Sequence, residues 1–357
     1  VVKLIDVARA ANVAVSTASR ALNNPSRVNP KTRSRVETVA AHLGYSTNMA
    51  ARSLRMGSSR MAMVIMPPWR ESSMLNDVLR GIDEELSKHG YTMIVGQLNE
   101  AGLPDPRVLE MARGGMIDGA IAVANDPPRS GGLPILAAER PIVGLMIDLS
   151  EHGVPSVISN DRRAVHDVVG RLVANGRQRF MYVSGPPNYH DGERYGGFTE
   201  ALSMAGADAR EVLRFDGDYT FEAGWNAGDA FLDARERPDA VVCSSDDIAI
   251  GFMKRVQRAG VRLPQEACVV GFDGIAVGAF VEPAISTIQQ HLVRMGAASA
   301  RLLLRALADP DAELPMRTIV KTTYVEREST IAALRGPAEP AAPRKARSAT
   351  SRASKAS

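Results

Sequence analysis

Apolar residues recur along this chain in two rhythms. Over the first 45 residues they fall three and four apart: Leu4, Val7, Ala8 and Ala11, then Ala18, Ala21 and Leu22, then Val36, Val39, Ala40 and Leu43. This is the stripe of amphipathic helices, and it predicts three short ones. Asp6 stands in the first turn of the first, where the positive end of the helix dipole favours an acid. Asn12-Val13 breaks the pattern, a second helix runs from about Val15 to Asn23, and a third opens at Asn29-Pro30 and ends at Gly44. A cap residue followed by proline is a helix start, because proline's missing N–H has no partner to lose at that position.

From Met61 the rhythm changes to apolar runs of four to six residues between longer amphipathic stretches. The runs predict strands at Met61 to Met66, Thr92 to Val95, Gly119 to Val123, Ile142 to Leu145, Ser156 to Ser159, Arg179 to Val183, Ala240 to Cys243 and Ala267 to Phe272. Helices are predicted between them, among others at Met74 to His89, Arg163 to Asn175, Gly192 to Ala205, Thr220 to Ala234 and Asp247 to Ala259. Strand and helix in alternation mean a parallel sheet flanked by helices, and about 270 residues hold two such units. Ligands of open parallel sheets bind at the carboxyl ends of strands, so two facing units make a cleft. Two segments fit neither rhythm. Within Ser46 to Ser59, Asn48 to Arg55 reads as a two-turn helix, too short to be stable alone, which needs a partner or ligand to form. Gly336 to Ser357 is rich in Ala, Pro, Ser and Arg, holds no leucine heptad, and is expected to be disordered.

Charge sharpens this division. The net charge of the 357 residues is only +3, with 45% hydrophobic and 23% charged residues. Residues 1 to 60 nevertheless carry ten Lys/Arg against two acids, and residues 336 to 357 five against one, which leaves −9 for the middle. A basic head and tail on an acidic body imply that the ends meet a polyanion. No run approaches the ~18 apolar residues of a membrane span, and no secretory pattern opens the chain, so no membrane partner and a cytoplasmic location are expected. Cys243 and Cys268, each in an apolar run, read as buried free thiols, with no companions at metal-ligand spacing. Enzyme signatures are missing: no glycine-rich phosphate loop is present, Ser244-Ser245-Asp246-Asp247 lacks a nearby histidine base, and His166, His190 and His291 are scattered. A non-enzyme without metal or cofactor is expected.

A helix, a tight turn and a nine-residue second helix form a helix-turn-helix, whose second helix enters the major groove of DNA. The run Ile5 to Asn23 here, with Val28-Asn29-Pro30-Lys31-Thr32-Arg33, Leu43-Gly44-Tyr45 and Ala51-Arg52-Ser53-Leu54 after it, resembles the LacI/GalR family of transcriptional regulators. The likeness continues to about residue 330. Val15 and Ser16 open the second helix and face base edges, and Arg20 is the stronger reader, since a guanidinium bonds guanine O6 and N7 together. Thr17, Ser19, Asn23 and Thr32 read as phosphate contacts, which fix register; helix capping is their plain structural alternative. Ala14 departs from the family, which usually has a capping serine there, a loss of about 1 kcal/mol. The resemblance implies that the linker helices of two subunits pair in the minor groove and that Leu54 wedges between base steps, with Arg52 and Arg55 on flanking phosphates.

The body resembles the family's periplasmic-binding-protein-like effector domain through Arg194-Tyr195-Gly196-Gly197-Phe198, Ser245 to Gly251, and Val269-Val270-Gly271-Phe272-Asp273. Carried over, Arg194 and Asp273 bind ligand polar groups, which suits vicinal hydroxyls. Tyr219 stands where the family often has an aromatic that stacks on the ligand. Trp69 and Asn125 follow the first and third strands and reach the same cleft, while Asp246 either touches ligand or holds the loop. Structural alternatives are a cleft-edge cover for Trp69, a turn cap for Asn125 and an ion pair for Arg194 with Asp273. Gly274 replaces an acid often found after the Asp, and Ser245 a common Asn.

The expected architecture is therefore an all-α helix-turn-helix head over 1–45, a hinge helix and linker over 46–59, an α/β periplasmic-binding-protein-like body over 60–335 built of two doubly wound parallel-sheet subdomains, and a basic tail over 336–357. One lobe takes about 60–157 and 289–320, the other about 158–288 and 321–335. The resemblance implies a homodimeric, nucleoid-associated repressor that binds double-stranded palindromic operator DNA and answers to a sugar-like effector between the lobes. The alternatives are a purine or nucleoside co-repressor response, and a free-standing solute-binding protein, which shares the body but not the basic head.

Overall fold

The computed structural model describes residues 2–23, 27–45, 57–66, 74–97, 105–123, 137–206 and 212–331. The linker residues 46–56 and the tail 336–357 lie outside the described residues, and so do Arg52, Leu54, Arg55, Trp69 and Asn125.

Three helices build the head: α1 (Leu4–Ala10), α2 (Val15–Asn23) and α3 (Pro30–His42). Their inward faces are small. Val7, Ala8, Ala11, Ala18, Ala21, Val36 and Ala40 form the buried cluster, edged by Leu22, Val39 and Leu43. Alanines at the crossings let the helices approach closely, which a core of so few residues requires. Asp6 accepts the N–H of Lys3 at 2.9 Å, and Asn29 accepts that of Lys31 at 2.9 Å, so two helix starts are closed by side chains. Asn12, at φ +49, makes the turn between α1 and α2; asparagine is among the few residues that tolerate this region.

The body is two six-stranded sheets. In lobe 1 the strands are β1 (Met61–Met66), β2 (Thr92–Gln97), β3 (Gly119–Val123), β4 (Ile142–Leu145), β5 (Ser156–Ser159) and β11 (Arg317–Val320), in the order β2-β1-β3-β4-β5-β11, all parallel. In lobe 2 they are β6 (Phe180–Ser184), β7 (Leu213–Asp216), β8 (Ala240–Cys243), β9 (Cys268–Asp273), β10 (Ser286–Gln289) and β12 (Thr323–Val325), in the order β7-β6-β8-β9-β10-β12. Only β12 runs antiparallel. The direction of winding reverses between β1 and β3 and between β6 and β8. These are the switch points at whose carboxyl ends ligands of such sheets bind.

Helices cover both faces. In lobe 1, α4 (Leu75–Lys88) and α10 (Leu292–Ala308) lie on one face and α5 (Pro106–Arg113) on the other. In lobe 2, α6 (Asp161–Ala174) and α7 (Tyr189–Met204) oppose α8 (Phe221–Asp233) and α9 (Asp246–Arg258). Glycines sit where paired helices cross. A Cβ on Gly81 would lie 2.1 Å from the Val293 carbonyl oxygen, and one on Gly296 2.3 Å from that of Val78. Gly224 and Gly251 stand in the same relation to Ile248 and Phe221, at 2.0 and 1.9 Å.

The chain crosses between lobes three times, at Asn160, at Gln290-His291 and at Lys321-Thr322. The crossovers are laced together. Asn160 Oδ1 accepts from the Thr322 N–H at 2.8 Å, and His291 Nε2 lies 3.0 Å from the Thr323 hydroxyl. Cys243 and Cys268 are buried and free, and burial pushes the Cys268 thiol up to about 11. Among the described residues, no helix is long and apolar enough to cross a membrane.

Several predicted elements shift. Helix α6 starts at Asp161 and α7 at Tyr189, two and three residues earlier than the hydrophobic pattern places them. Asn188 is the reason for the second, since its side chain accepts the Asp191 N–H and closes the helix one turn upstream. Strands β7, β10, β11 and β12 were not singled out by pattern: β7, β11 and β12 are edge strands with partly exposed side chains, and β10 reads Ser-Thr-Ile-Gln.

Replacing Gly224 with Ala forces a methyl into the Ile248 backbone and should destabilise the body by about 1–3 kcal/mol. Gly170, inside α6 with nothing within 4 Å of its Cβ position, is the control. Gly170→Ala should instead stabilise by about 0.5–1 kcal/mol through helix propensity. Thermal denaturation of both variants checks the pair.

Candidate functional site

Two surfaces carry the candidate chemistry, one on the head and one at the carboxyl ends of the lobe 2 strands. On α2, Ala18 and Ala21 turn inward while Val15, Ser16 and Arg20 are exposed. Thr17, Ser19 and Thr32 are half-buried beside them. Asn23 ends the helix, and its side chain lies outside the description. Val15 keeps 43% of its surface exposed, although burying a valine gains about 1.5 kcal/mol or more, so α2 presents an apolar group outward at its first turn. Ala14, just before it, offers no side-chain oxygen to the free N–H groups of that turn, whereas α1 and α3 are both capped.

The second surface centres on Arg194, which is 3% exposed. Its Nε donates to Asp161 Oδ2 at 2.9 Å and its Nη1 to the Ser244 carbonyl at 2.5 Å. Nη2 stands 3.8 Å from Asp273 Oδ1, and the guanidinium lies over the Phe272 ring at 3.7 Å. Strand β9 delivers Asp273, β8 delivers Ser244, and α7, which follows β6, delivers Arg194. All three therefore converge at the β6/β8 switch point. A ring of polar contacts closes behind them. Gln290 Nε2 donates to Asp273 Oδ1 at 2.7 Å, and the Ser159 hydroxyl is within reach of both the Asp161 carboxylate and Gln290 Oε1. Ser159 and Asp161 flank one crossover and Gln290 lies in another, so the partners of Arg194 and Asp273 belong to the lobe junction.

Beside this ring, three buried polar atoms have no partner among the described residues: Asn188 Nδ2, His190 Nε2 and Ser244 Oγ. Buried polar groups are almost always hydrogen-bonded, so such atoms grouped at the carboxyl ends of strands are candidates for contact with a polar molecule. His190 lies one helical turn before Arg194 on the same face of α7, with Nδ1 3.7 Å from Asp161 Oδ2. The Tyr219 hydroxyl donates to Asn188 Oδ1 at 3.3 Å. Gly185 allows that arrangement, since a Cβ there would lie 2.2 Å from the Tyr219 ring.

The carboxylates respond differently to burial. For Asp161 burial opposes ionisation, but Arg194 and His190 outweigh it and hold the group well below the usual range. Burial dominates at Asp273, and its carboxyl is pushed up to about 7 despite Arg194 and Gln290. Asp246 rises to about 8 through burial and the proximity of Asp273. Burial works against the Arg194 charge, but Asp161 and Asp273 prevail and raise it further.

The structure thus brings together Arg194, Asp273 and Tyr219 of the residues named from sequence. Asp246 is fully buried, and its Oδ2 accepts from the N–H groups of Gly274 and Ile275, both at 2.8 Å, so it holds the loop, the second of the two roles expected for it. Strain in that loop falls on Asp273, at φ +105, while Gly274 takes φ +79 freely. A Cβ at Gly274 would meet Gln289 Cβ at 2.8 Å, which explains glycine in place of an acid. Ser245 serves as the cap of α9, accepting the Ile248 N–H at 3.2 Å. Sequence reading missed Asp161, Asn188, His190, Ser244 and Gln290. Their signal is position after a strand or beside a crossover, which only the topology makes visible.

Comparison with known proteins gives two matches to family models. Residues 3–48 match the model of bacterial regulatory proteins, lacI family, and residues 169–330 match a periplasmic binding protein-like domain. The HTH-type transcriptional repressor CytR of Escherichia coli (strain K12) is 31% identical over 304 residues, covering 84% of this chain and 88% of that protein. Among solved structures, the lac repressor dimer bound to operator and the anti-inducer ONPF superposes with a TM-score of 0.79 at 23% identity, over 93% of this chain and 99% of that one. The complex of the transcriptional regulator CelR with cellobiose superposes at 0.69 and 25% identity, over 92% and 100%.

The titration of Asp273 sets a pH dependence. Unfolded, an aspartate titrates near 3.9; folded, Asp273 titrates at about 7. Between those values the folded state binds more protons than the unfolded one, so this group's contribution to stability falls as pH rises from about 4 through 7. Asp273→Asn should therefore make the decline in melting temperature between pH 5 and 7.5 shallower than in the parent, measured by thermal denaturation across that range.

Proposed function

Because the chain belongs to the lacI family of bacterial regulatory proteins, we propose that it is a dimeric repressor that binds a palindromic operator and is controlled by a small polar effector at the β6/β8 crevice. The exposed face of α2 carries the DNA-binding half of this reading. A nine-residue helix that turns Val15, Ser16 and Arg20 outward, within a first 60 residues of charge +8, presents methyl, hydroxyl and guanidinium groups to base edges. Thr17, Ser19, Asn23 and Thr32 serve the phosphates, and Arg52, Leu54 and Arg55 the minor groove at the operator centre. The alternative of a free-standing solute-binding protein leaves this basic head without a role.

The partnerless atoms of Asn188, His190 and Ser244 beside Arg194 and Asp273 support the effector half. Arg194 is already bonded to Asp161, so the described residues of lobe 2 offer mixed donors and acceptors there, with the Arg194 charge already paired. That arrangement suits an uncharged molecule rich in hydroxyls, a sugar or sugar derivative, with a nucleoside as the second candidate; Trp69 and Asn125 would complete it from lobe 1. Dimer formation has its own support in exposed apolar groups. Phe221, Val277 and Phe280 are 44%, 45% and 86% exposed. Helix α9 lies among them, with Gly251 under the Phe221 carbonyl and Gln257 bonded to the Glu282 carbonyl. A second copy covering this face removes the patch from water.

Selection of duplexes from random-sequence DNA by the full-length chain should return a palindrome, and Leu54→Ala should bind that duplex at least tenfold more weakly while retaining ligand binding; unchanged affinity would remove the minor-groove wedge. A thermal-shift screen over sugars, sugar acids, nucleosides and purines should find a compound that stabilises the parent by about 2.7 kcal/mol at 100 times its dissociation constant. The same compound should leave Asp273→Ala unshifted.

A further inference from the structure

Far from the crevice, at the amino ends of the lobe 1 strands, four hydrogen bonds converge on one carboxylate. Asp118, just before β3, accepts the Ser58 hydroxyl at 2.5 Å and the Arg60 N–H at 3.0 Å on Oδ2. Its Oδ1 accepts the Ser59 N–H at 2.7 Å and the Ser59 hydroxyl at 2.8 Å. Its own N–H donates to the Met61 carbonyl at 2.9 Å. Burial opposes its ionisation, but the donors of Ser58, Ser59 and Arg60 prevail and hold it below the ordinary carboxylate range.

The captured residues are Ser58 and Ser59, which end the linker, and Arg60, which leads into β1. They are sharply bent, with Gly57 at φ +65 and Arg60 at φ +56. Glycine takes that conformation freely and arginine does not. Arg60 is held there: its guanidinium lies over the Tyr91 ring at 5.1 Å, Nη1 donates to the His89 carbonyl at 3.3 Å, and its own carbonyl accepts the Thr92 N–H at 2.8 Å. Ser59 is only 3% exposed, and its hydroxyl also accepts the Met61 N–H at 3.1 Å. Beginning a strand requires none of this. A chain can enter β1 from solvent with its lead-in free.

We propose that Asp118 is a positioning residue for DNA recognition: it fixes where and in which direction the linker leaves the body, and so sets the spacing at which two heads meet the duplex. The proposal rests on the reading of the chain as a dimeric DNA-binding regulator. Magnitudes favour it. Two freed residues, Ser58 and Ser59, add about 7 Å of reach per subunit, at ~3.3–3.6 Å each, while one base pair advances the duplex by about 3.4 Å. With the clamp closed the pair of heads reads half-site separation to a single base pair, and with it open the slack spans several.

The test uses the full-length chain and the duplex it selects from random-sequence DNA, with versions carrying one base pair inserted or deleted at the centre. The parent should bind the altered duplexes about tenfold or more weakly, the order of a typical mismatch. In Asp118→Asn, where an amide N–H faces the donors, that ratio should fall below about threefold. Ser58→Ala removes one bond of the four and leaves Ser59 and Arg60 in place, so it should give an intermediate ratio and serves as well should Asp118→Asn fold poorly. A loss of affinity that is equal for all three duplexes, which is what general destabilisation produces, overturns the proposal. So does a parent that selects a palindrome yet tolerates the changed spacing. Failure to select any palindrome removes the dimeric-regulator reading itself, and the proposal with it.

Discussion

A guanidinium buried as deeply as Arg194 persists only with partners, because removing one from a buried ion pair typically costs about 3–5 kcal/mol. Here the partners come from the lobe junction. Asp161 begins α6 immediately after the first crossover, and Gln290, which holds Asp273, lies in the second. Ser159, which ends a lobe 1 strand, bonds both Asp161 and Gln290 and so ties this ring to the junction. Loop strain at Asp273, the two N–H groups held by Asp246 and the glycine at 274 all serve to keep one carboxylate at the edge of that ring. A molecule bonding there competes for contacts that also define the angle between the lobes.

The head solves a different problem with the same economy of contacts. Its core consists of seven small or β-branched residues, so little apolar surface is available to it. Stability is supplemented by side-chain closure of α1 and α3, while α2 begins at an alanine. The helix that faces outward is thus the one with the weakest start, a condition that a phosphate near its free N–H groups would relieve.

What the sequence disclosed, and what it withheld, follows from how each part is stabilised. Interior strands such as β3, Gly119–Val123, are buried on both faces and read as uninterrupted apolar runs. Edge strands such as β7, Leu-Arg-Phe-Asp, are covered on one side only and lose that signature. Arg194 and Asp273 were legible because they stand in recognisable segments. Asp161 was not, since Asn-Asp-Arg-Arg reads as an ordinary polar helix start until the fold places it against a buried arginine. Gln290 and His190 acquire meaning only from what faces them.

Neither lobe is a continuous piece of chain, and this governs the order in which they form during synthesis. Lobe 2 has nearly all of its sheet and all four of its described helices between Asp161 and Gln289, so it can assemble while the ribosome is still adding the last fifth of the sequence. Lobe 1 begins first yet finishes late: its main core needs Leu292, Met295, Ala300, Leu302 and Leu303 from α10 to cover strands made some two hundred residues earlier. Until then those strands leave an apolar face uncovered, so the younger lobe is the older fold.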